Sequence, residues 1–537
     1  MSNFDLPVTG TDADLEFRDS ASCSAWLQTL PLINVGPSQG RLLGALEELN
    51  GFTLAATERL KILEILREPV VFVQAEHSKK FSGKAVPLAR QEREIFHNVC
   101  ALWDALGTGY RHCLQALAGP GGGGLGNQGA MIVQRALWCT GQKIAEHFKA
   151  YLDVHAEDWT RLHRLYAYAG ERGFDDQSVS HPLFKGDVET TPTETYVHAL
   201  LLHMANPQEQ TPRQQAIISR WLERWARTVS ISAEAPADAG AAPLSVDLAG
   251  SSGASREAKS GGTVRYLNVD DLGKSMRKRL ALLRDGGSPE SMGLGSDVPA
   301  AMATGMLAML FHEWCENKPA RGPARRSAPK TAEIATGIAA IHHFVTGLPF
   351  RQPGVATELT KKQREEIATF GRASTRDEEA IVQGFTLEQW TLEDESLAGF
   401  RLERPENGGG GRFNHHQLVA VRPADARLFI IGEFRWLAVS ENYALRAGVR
   451  MLPGVPQGVA IRSTGINAVA AGEKYVQAIA LPAVAALHTP PTLIIPAGWY
   501  RPKRVIEVHS DKTEQLLLTG VLERGSDYER CTYDAFQ

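Results

Sequence analysis

The apolar positions of the N-terminal half repeat with the period of amphipathic helices. One stripe places four large side chains at i, i+3, i+4 and i+7, namely Ile218, Trp221, Leu222 and Trp225. This spacing lines one face of a helix, which a globular protein turns toward its core. Similar stripes recur between residues 38 and 231, separated by short breaks of polar residues, proline or glycine. The pattern predicts a set of helices packed antiparallel against one another.

The C-terminal half changes to an alternation of apolar and polar residues. Trp390 and Leu392 alternate with polar neighbours, and so do Phe400 and Leu402. A period of two is typical of strands with one buried face. Further short strand-like segments follow at residues 417–421, 428–437, 443–451 and 458–462. They predict a small antiparallel barrel, preceded by a helical segment at 332–347.

Strand signal resumes after residue 465. The segments that carry it are 475–481, 492–495, 505–509 and 515–522. We interpret them as a second small β unit or as an extension of the barrel.

These patterns indicate a multidomain α+β protein, with a helical N-terminal region, a C-terminal small antiparallel β-barrel and a further β extension. A length of 537 residues exceeds what one hydrophobic core supports. Residues 232–262 are rich in Ala, Gly, Ser and Pro and lack aromatics, which predicts a flexible linker. The expected division is a helical scaffold domain at 1–231, the linker at 232–263, a short helical adaptor segment with a basic linker at 264–329, the barrel at 330–465 and the β extension at 466–537.

Composition narrows the class of protein. The net charge of −4 argues against a general nucleic-acid binder, which would be strongly basic. None of the six cysteines forms a CxxC pair, which favours a reducing compartment. The N-terminus has no basic and apolar leader pattern, and no run approaches the roughly 18 apolar residues of a membrane span. We therefore expect a cytoplasmic protein without a transmembrane segment.

The most informative chemistry lies in two short motifs. Arg372 and Arg376 form an RxxxR step, and residues 394–399 read Asp-Glu-Ser-Leu-Ala-Gly, a DxSxxG step. The arginine fork pairs bidentately with phosphate oxygens, matches the O6/N7 edge of guanine and stacks on purines. An aspartate can accept hydrogen bonds from guanine N–H groups, and a glycine lets the backbone approach a ligand. The pair of motifs predicts a loop that holds a compact dianion, with a turn opposite it that reads the rest of the ligand.

This order of motifs resembles the PilZ domain, the bacterial receptor module for cyclic di-GMP. Two later stretches match strands of PilZ-like sequences, Gly432-Glu433-Phe434-Arg435-Trp436 and Gly448-Val449-Arg450-Met451. The resemblance covers roughly residues 370–465, the motif core of the barrel. It departs from the common pattern before Arg372, where Phe370-Gly371 replaces a second basic residue, and this leaves the ligand stoichiometry open. The resemblance implies that cyclic di-GMP is bound by Arg372, Arg376, Asp394, Ser396 and Gly399.

Other motifs are better explained by structure. Residues 220–224 and 446–450 also read RxxxR, but the first lies in an amphipathic helix and the second follows the DxSxxG step. Residues 124–129 fit GxGxxG, but a predicted helix precedes them where a dinucleotide site needs a strand. The adjacent pairs His342-His343 and His415-His416 point apart and do not share a metal. Neither a P-loop nor a zinc or GxSxG motif occurs, and we find no signature of enzymes that make or degrade cyclic di-GMP. We predict no catalytic residue, no metal site and no cofactor.

The favoured function is a non-enzymatic cyclic di-GMP receptor whose barrel is coupled to a protein partner. The partner is an unidentified cytosolic protein that binds the helical region. The resemblance implies control of motility, pili, secretion or surface polysaccharide. The alternative is a ligand-independent adaptor or chaperone-like interaction protein with a PilZ-like fold. A third hypothesis, an enzyme within residues 1–231, has no residue-level support.

Overall fold

The computed structural model describes residues 4–11, 15–181, 188–235, 243–257, 259, 261–316, 329–354, 384–396, 398–405, 410–464 and 473–536. The chain forms two compact units. A helical unit contains Met1–Lys84 and Leu88–Pro323, and a barrel unit contains Ala85–Pro87 and Ala324–Gln537. Within the described residues, no helix combines the length and the apolar character that crossing a membrane requires.

The helical unit confirms the helical N-terminal region predicted from the sequence. Its first eight helices are α1 (Ser20–Leu27), α2 (Val35–Gly51), α3 (Ala56–Ser78), α4 (Arg90–Ala118), α5 (Gly129–Lys149), α6 (Ala156–Glu171), α7 (Pro192–Met204) and α8 (Pro212–Trp225). The start of α8 shows why such helices form where they do. Thr211 and Gln214 form a capping box, and Pro212 occupies the first turn, where no N–H partner is lost. The predicted stripe of α8 is buried, with Trp221 fully enclosed.

Short strands supplement these helices. Strands β1 (Val179–His181) and β2 (Val188–Thr190) pair with each other. Strands β3 (Ser230–Ser232), β4 (Ser245–Asp247) and β5 (Val264–Asn268) form a three-stranded sheet in the order β3-β5-β4. Helices α9 (Asp270–Arg284) and α10 (Ala300–Trp314) complete the unit.

The prediction of a flexible linker over 232–263 is wrong for residues 243–257. Leu244 and Val246 are 2% and 0% exposed and belong to the core of the helical unit. The segment that follows is equally integrated, because the fully buried Trp314 donates its indole N–H to the carbonyl of Leu201 at 3.1 Å. A few buried apolar side chains therefore suffice to fix a segment whose composition is typical of a linker.

The first barrel is closed and antiparallel throughout, as the sequence predicted. It consists of β6 (Lys330–Thr336), β7 (Glu388–Ser396), β8 (Gly399–Arg404), β9 (Leu418–Pro423), β10 (Ile430–Val439) and β11 (Leu445–Met451). Around the barrel the order is β6-β7-β8-β11-β10-β9, and β9 pairs with β6 to close it. Helix α11 (Ile338–Thr346) follows β6. The helix predicted at 332–347 is therefore only partly correct, because its first residues form a barrel strand.

The β extension is a second closed antiparallel barrel. Its strands are β12 (Gln457–Ser463), β13 (Val476–Leu481), β14 (Thr492–Pro496), β15 (Val505–His509), β16 (Thr513–Arg524) and β17 (Tyr528–Ala535). The boundary expected at residue 465 is wrong, because β12 pairs with β13 and β15 of this second barrel.

The two barrels share one hydrophobic cluster. Ile341 of α11 lies in it together with Ile431 of β10, Ile479 of β13 and Ile494 of β14. All four side chains are fully buried. Helix α11 therefore packs into a core to which both barrels contribute.

A buried polar network also joins the barrels. Glu433 of β10 accepts a hydrogen bond from the hydroxyl of Tyr528 in β17 at 2.7 Å and from Nη2 of Arg450 in β11 at 2.8 Å. The same Nη2 donates to Glu523 of β16 at 2.8 Å. The buried Glu433 carboxylate thus finds a partner in each barrel, as buried polar groups ordinarily do.

Candidate functional site

The DxSxxG residues lie at the hairpin between β7 and β8. Ser396 pairs with Gly399 at the tip of the hairpin. Asp394 lies two residues before Ser396 on β7 and pairs with Arg401. The hydroxyl of Ser396 accepts from the N–H of Ala398 and donates to the carbonyl of Gly399, both at 3.3 Å. These bonds close the turn, so Ser396 has a structural role in addition to any contact with a ligand.

Gly399 is required by its contact with a neighbouring strand. A Cβ added there would lie 2.0 Å from the carbonyl oxygen of Val449 in β11. No side chain fits at that distance without separating β8 from β11. The glycine therefore lets the DxSxxG turn pack closely against β11, the strand that contains Gly448 and Val449.

Four residues on four strands form a row across the outer surface of the first barrel. Asp394 lies opposite Arg401, Arg401 opposite Gly448, and Gly448 opposite Trp436. Directly opposed residues of antiparallel strands point to the same face. The neighbours of Arg401 in β8 are buried, so the row faces away from the barrel interior. We call these four residues the outer row.

The aromatic member of the outer row is held flat by a glycine. A Cβ at Gly448 would lie 2.0 Å from Nε1 of Trp436, so the indole rests directly on the backbone of β11. Trp436 is half-buried in this position. The packing leaves an aromatic surface in the same row as Arg401, with one strand between them.

Charges of both signs surround Arg401. Its Nε lies 2.6 Å from a carboxylate oxygen of Glu393, which occupies the irregular step of β7 between Leu392 and Asp394. Glu403 stands opposite Arg446 in the next row. Burial raises the pKa of Glu403, and the neighbouring Glu393 charge raises it further. An anionic ligand at Arg401 would therefore have to displace Glu393.

The outer row offers a planar cationic fork, an aromatic surface and a carboxylate on one open face. Guanidinium and indole planes suit stacking and bidentate contacts with a purine, and a carboxylate suits its N–H donors. This combination fits a guanine nucleotide better than a hydrophobic ligand.

The structure brings together Asp394, Ser396 and Gly399 but does not test their predicted role in binding. Arg372 and Arg376 lie outside the described residues. Sequence reasoning missed Arg401 and the place of Trp436 in the same row. The strand register, with its irregular step after Leu392, places Arg401 opposite Asp394 and aligns Trp436 with them.

The motifs set aside in the sequence have structural partners. Arg224 donates to the carbonyl of Gly293 at 2.6 Å, and Arg450 belongs to the network that joins the barrels. The glycine-rich stretch from residue 119 to residue 128 connects α4 to α5, so no strand leads into it. His342 and His343 lie buried on α11. None of these features forms part of the outer row.

Comparison with known proteins points to a class of receptor. A family model described as the N-terminal domain of the cyclic-di-GMP receptor FimW matches residues 21–237. A second model, the FimW C-terminal beta-barrel domain, matches residues 464–536. The first match lies in the helical unit and the second covers most of the second barrel. The first barrel, with the outer row, lies between them.

One relative of this chain is the cyclic-di-GMP receptor FimW of Pseudomonas aeruginosa. It is 23% identical to this chain over 539 aligned residues. The alignment covers 91% of this chain and 86% of the relative, so the similarity extends through the first barrel as well.

Proposed function

We propose that this chain is a non-enzymatic receptor for cyclic di-GMP that binds the messenger on a PilZ-like first barrel. The observation that carries the proposal is the outer row, Asp394–Arg401–Gly448–Trp436, next to the Ser396 turn. The similarity to a protein named as a receptor for the same messenger supports the choice of ligand. The RxxxR step precedes these strands in the chain, as it does in PilZ-like sequences.

The proposed roles follow from the chemistry of each group. Arg372 and Arg376 pair with the phosphates through charge-assisted hydrogen bonds. Asp394 accepts from the N–H groups of a guanine, and Trp436 provides an aromatic surface for stacking. Arg401 leaves Glu393 and contacts the guanine edge or a phosphate. Gly399 keeps the turn close to β11, so that these groups share one surface.

We further propose that the bound messenger changes how the helical unit contacts a cytosolic protein partner. A receptor without catalysis needs such an output, and the helical unit offers a large packed scaffold. The family resemblance implies a partner in motility, pili, secretion or surface polysaccharide. The protein would act in the cytoplasm, the compartment in which it would encounter a cyclic dinucleotide.

The binding proposal is tested by calorimetric titration of the full-length protein with cyclic di-GMP, with GTP and GMP as control ligands. We expect saturable binding of cyclic di-GMP alone. Losing one charge-assisted contact removes about 1.5–3 kcal/mol, or roughly ten- to a hundredfold in affinity. Arg372→Ala, Arg376→Ala and Arg401→Ala should each weaken binding by that factor.

Arg224→Ala is the matched control, because it removes an arginine from another RxxxR step, on helix α8. Its affinity should equal that of the wild type. Wild-type protein that binds no cyclic di-GMP would favour the ligand-independent adaptor. Equal affinity of the wild type and an Arg372→Ala/Arg376→Ala double variant would show that the messenger binds without the RxxxR step.

A further inference from the structure

Three potential metal ligands meet in the helical unit, at the corner between α5 and α6. His147 lies in the last turn of α5, His155 is the residue before α6, and Asp158 lies in the first turn of α6. One ligand atom of each lies within 4.8 Å of the other two. We call these three residues the corner cluster.

Two members of the corner cluster hold buried polar atoms without a hydrogen-bond partner. His147 and Asp158 are each 1% exposed. Nε2 of His147 and Oδ2 of Asp158 have no partner among the described residues. Buried polar groups are ordinarily satisfied, so each such atom calls for an explanation.

The hydrogen bonds that the two side chains do make show whether their remaining atoms are donors or acceptors. Nδ1 of His147 lies 2.9 Å from the backbone carbonyl of Lys143, so Nδ1 carries the proton and Nε2 presents its lone pair. The Oδ1 atom of Asp158 accepts from Nζ of Lys143 at 2.7 Å and from Nη1 of Arg161 at 3.3 Å. Both free atoms are therefore acceptors, which is the character that a ligand of a cation requires.

The surroundings match those of known metal ligands. A metal-binding histidine usually donates its other ring N–H to a carbonyl or carboxylate, as His147 does to Lys143. His155 is exposed, and its ring centroid lies 5.0 Å from that of His147. It gives the cluster a side open to solvent, through which an ion can enter. Metal–ligand bonds of about 2.0–2.2 Å place ligand atoms closer together than 4.8 Å, so binding would draw the three side chains inward, and the exposed His155 ring can rotate toward the ion.

We propose that the corner cluster binds one divalent transition-metal ion, with Zn²⁺ as the ion that its ligand chemistry suits. Two imidazole nitrogens and one carboxylate oxygen are ligands that zinc accepts, with water in a fourth position. The ion would fasten the end of α5 to the start of α6. The spacing His-x7-His-x2-Asp fits no standard motif, so the sequence predicted no metal site, and only the fold of the corner brings the ligands together.

The test uses full-length protein without a histidine tag, stripped of metal with a chelator. Zn²⁺ is titrated by calorimetry, and Co²⁺ is followed by visible absorption, which reports the coordination of the ion. We expect one ion per chain and a cobalt spectrum of low coordination number. His155→Asn should weaken Zn²⁺ binding at least tenfold. His155 is the N-cap of α6 and makes no capping bond there, whereas asparagine is a favoured cap, so the substitution does not weaken the helix.

His488→Asn is the matched control, because His488 is exposed and has a φ of 51°, a conformation that asparagine tolerates. It should bind Zn²⁺ like the wild type. Failure of the wild type to bind one ion per chain would overturn the proposal. Equal binding by wild type and His155→Asn would also overturn it, because the ion would then lie elsewhere, for example between His312 of α10 and Glu316, two residues after that helix.

Discussion

Glu433 shows how a single carboxylate can make two barrels depend on one another. Burial alone would raise the pKa of Glu433, but hydrogen bonds from His416, Tyr528 and Arg450 outweigh it and hold this pKa at about 2. Because the folded-state pKa lies below the usual 4.5, the charged form stabilises the fold. This contribution is complete above about pH 4.5 and is lost as the pH falls toward 2. At neutral pH it amounts to roughly 3 kcal/mol.

We therefore expect Glu433→Gln to be less stable than the wild type at pH 7 by roughly 3 kcal/mol, with a smaller loss of stability between pH 5 and pH 3. Hydrogen exchange of the β10 and β17 amides as a function of pH measures this difference. Glu473→Gln, at an exposed position, should follow the wild-type curve. Parallel curves for wild type and Glu433→Gln in the acid range would contradict the role given to this carboxylate.

At the scale of elements, α11 is the helix on which both barrels pack. Ile341 is fully buried in the core shared by the barrels. Truncation of such an isoleucine typically costs about 2–5 kcal/mol, because it leaves a cavity. Ile341→Ala should therefore reduce hydrogen-exchange protection in β9 of the first barrel and in β13 of the second barrel together. Val455→Ala, at a position that is 57% exposed, should change neither. Loss of protection in only one barrel would show that the other folds without this helix.

The elements also show how far the sequence could predict the fold. The helical stripes and the alternation around Trp390 are strong periodic signals, and both the helices and the barrel were predicted correctly. Strand β6 was missed because its apolar residues run directly into those of α11, and the two periods merge. Strand β4 is three residues long, too short to show an alternation. For the candidate site, Asp394 and Ser396 stood out as a motif, whereas Arg401 and Trp436 join the same row only through the pairing of strands that are distant in sequence.

The output of the proposed receptor is a property of the whole molecule. If cyclic di-GMP changes the affinity for a partner, the partner must change the affinity for cyclic di-GMP by the same factor. We expect tagged full-length protein to recover at least one cytosolic protein in an amount that changes when cyclic di-GMP is added. Quantitative mass spectrometry of the recovered proteins measures the change.

Two comparisons make this experiment specific. Arg376→Ala should abolish the change, and GMP should not produce it. The same recovery with and without cyclic di-GMP, from protein shown to bind it, would mean that binding is not transmitted to the partner. That result would leave the proposed binding site unchanged and would contradict the proposed coupling to the partner.

The core shared by the barrels constrains how the chain can evolve. A recombination boundary between β11 and β12 would leave Ile341, Ile431 and Ile479 facing water on whichever fragment kept them. An evolved variant with only one barrel would need polar residues at these positions to avoid aggregation through the exposed apolar surface. The two barrels should therefore be inherited as one piece, and gene fusions or deletions should preserve or lose them together.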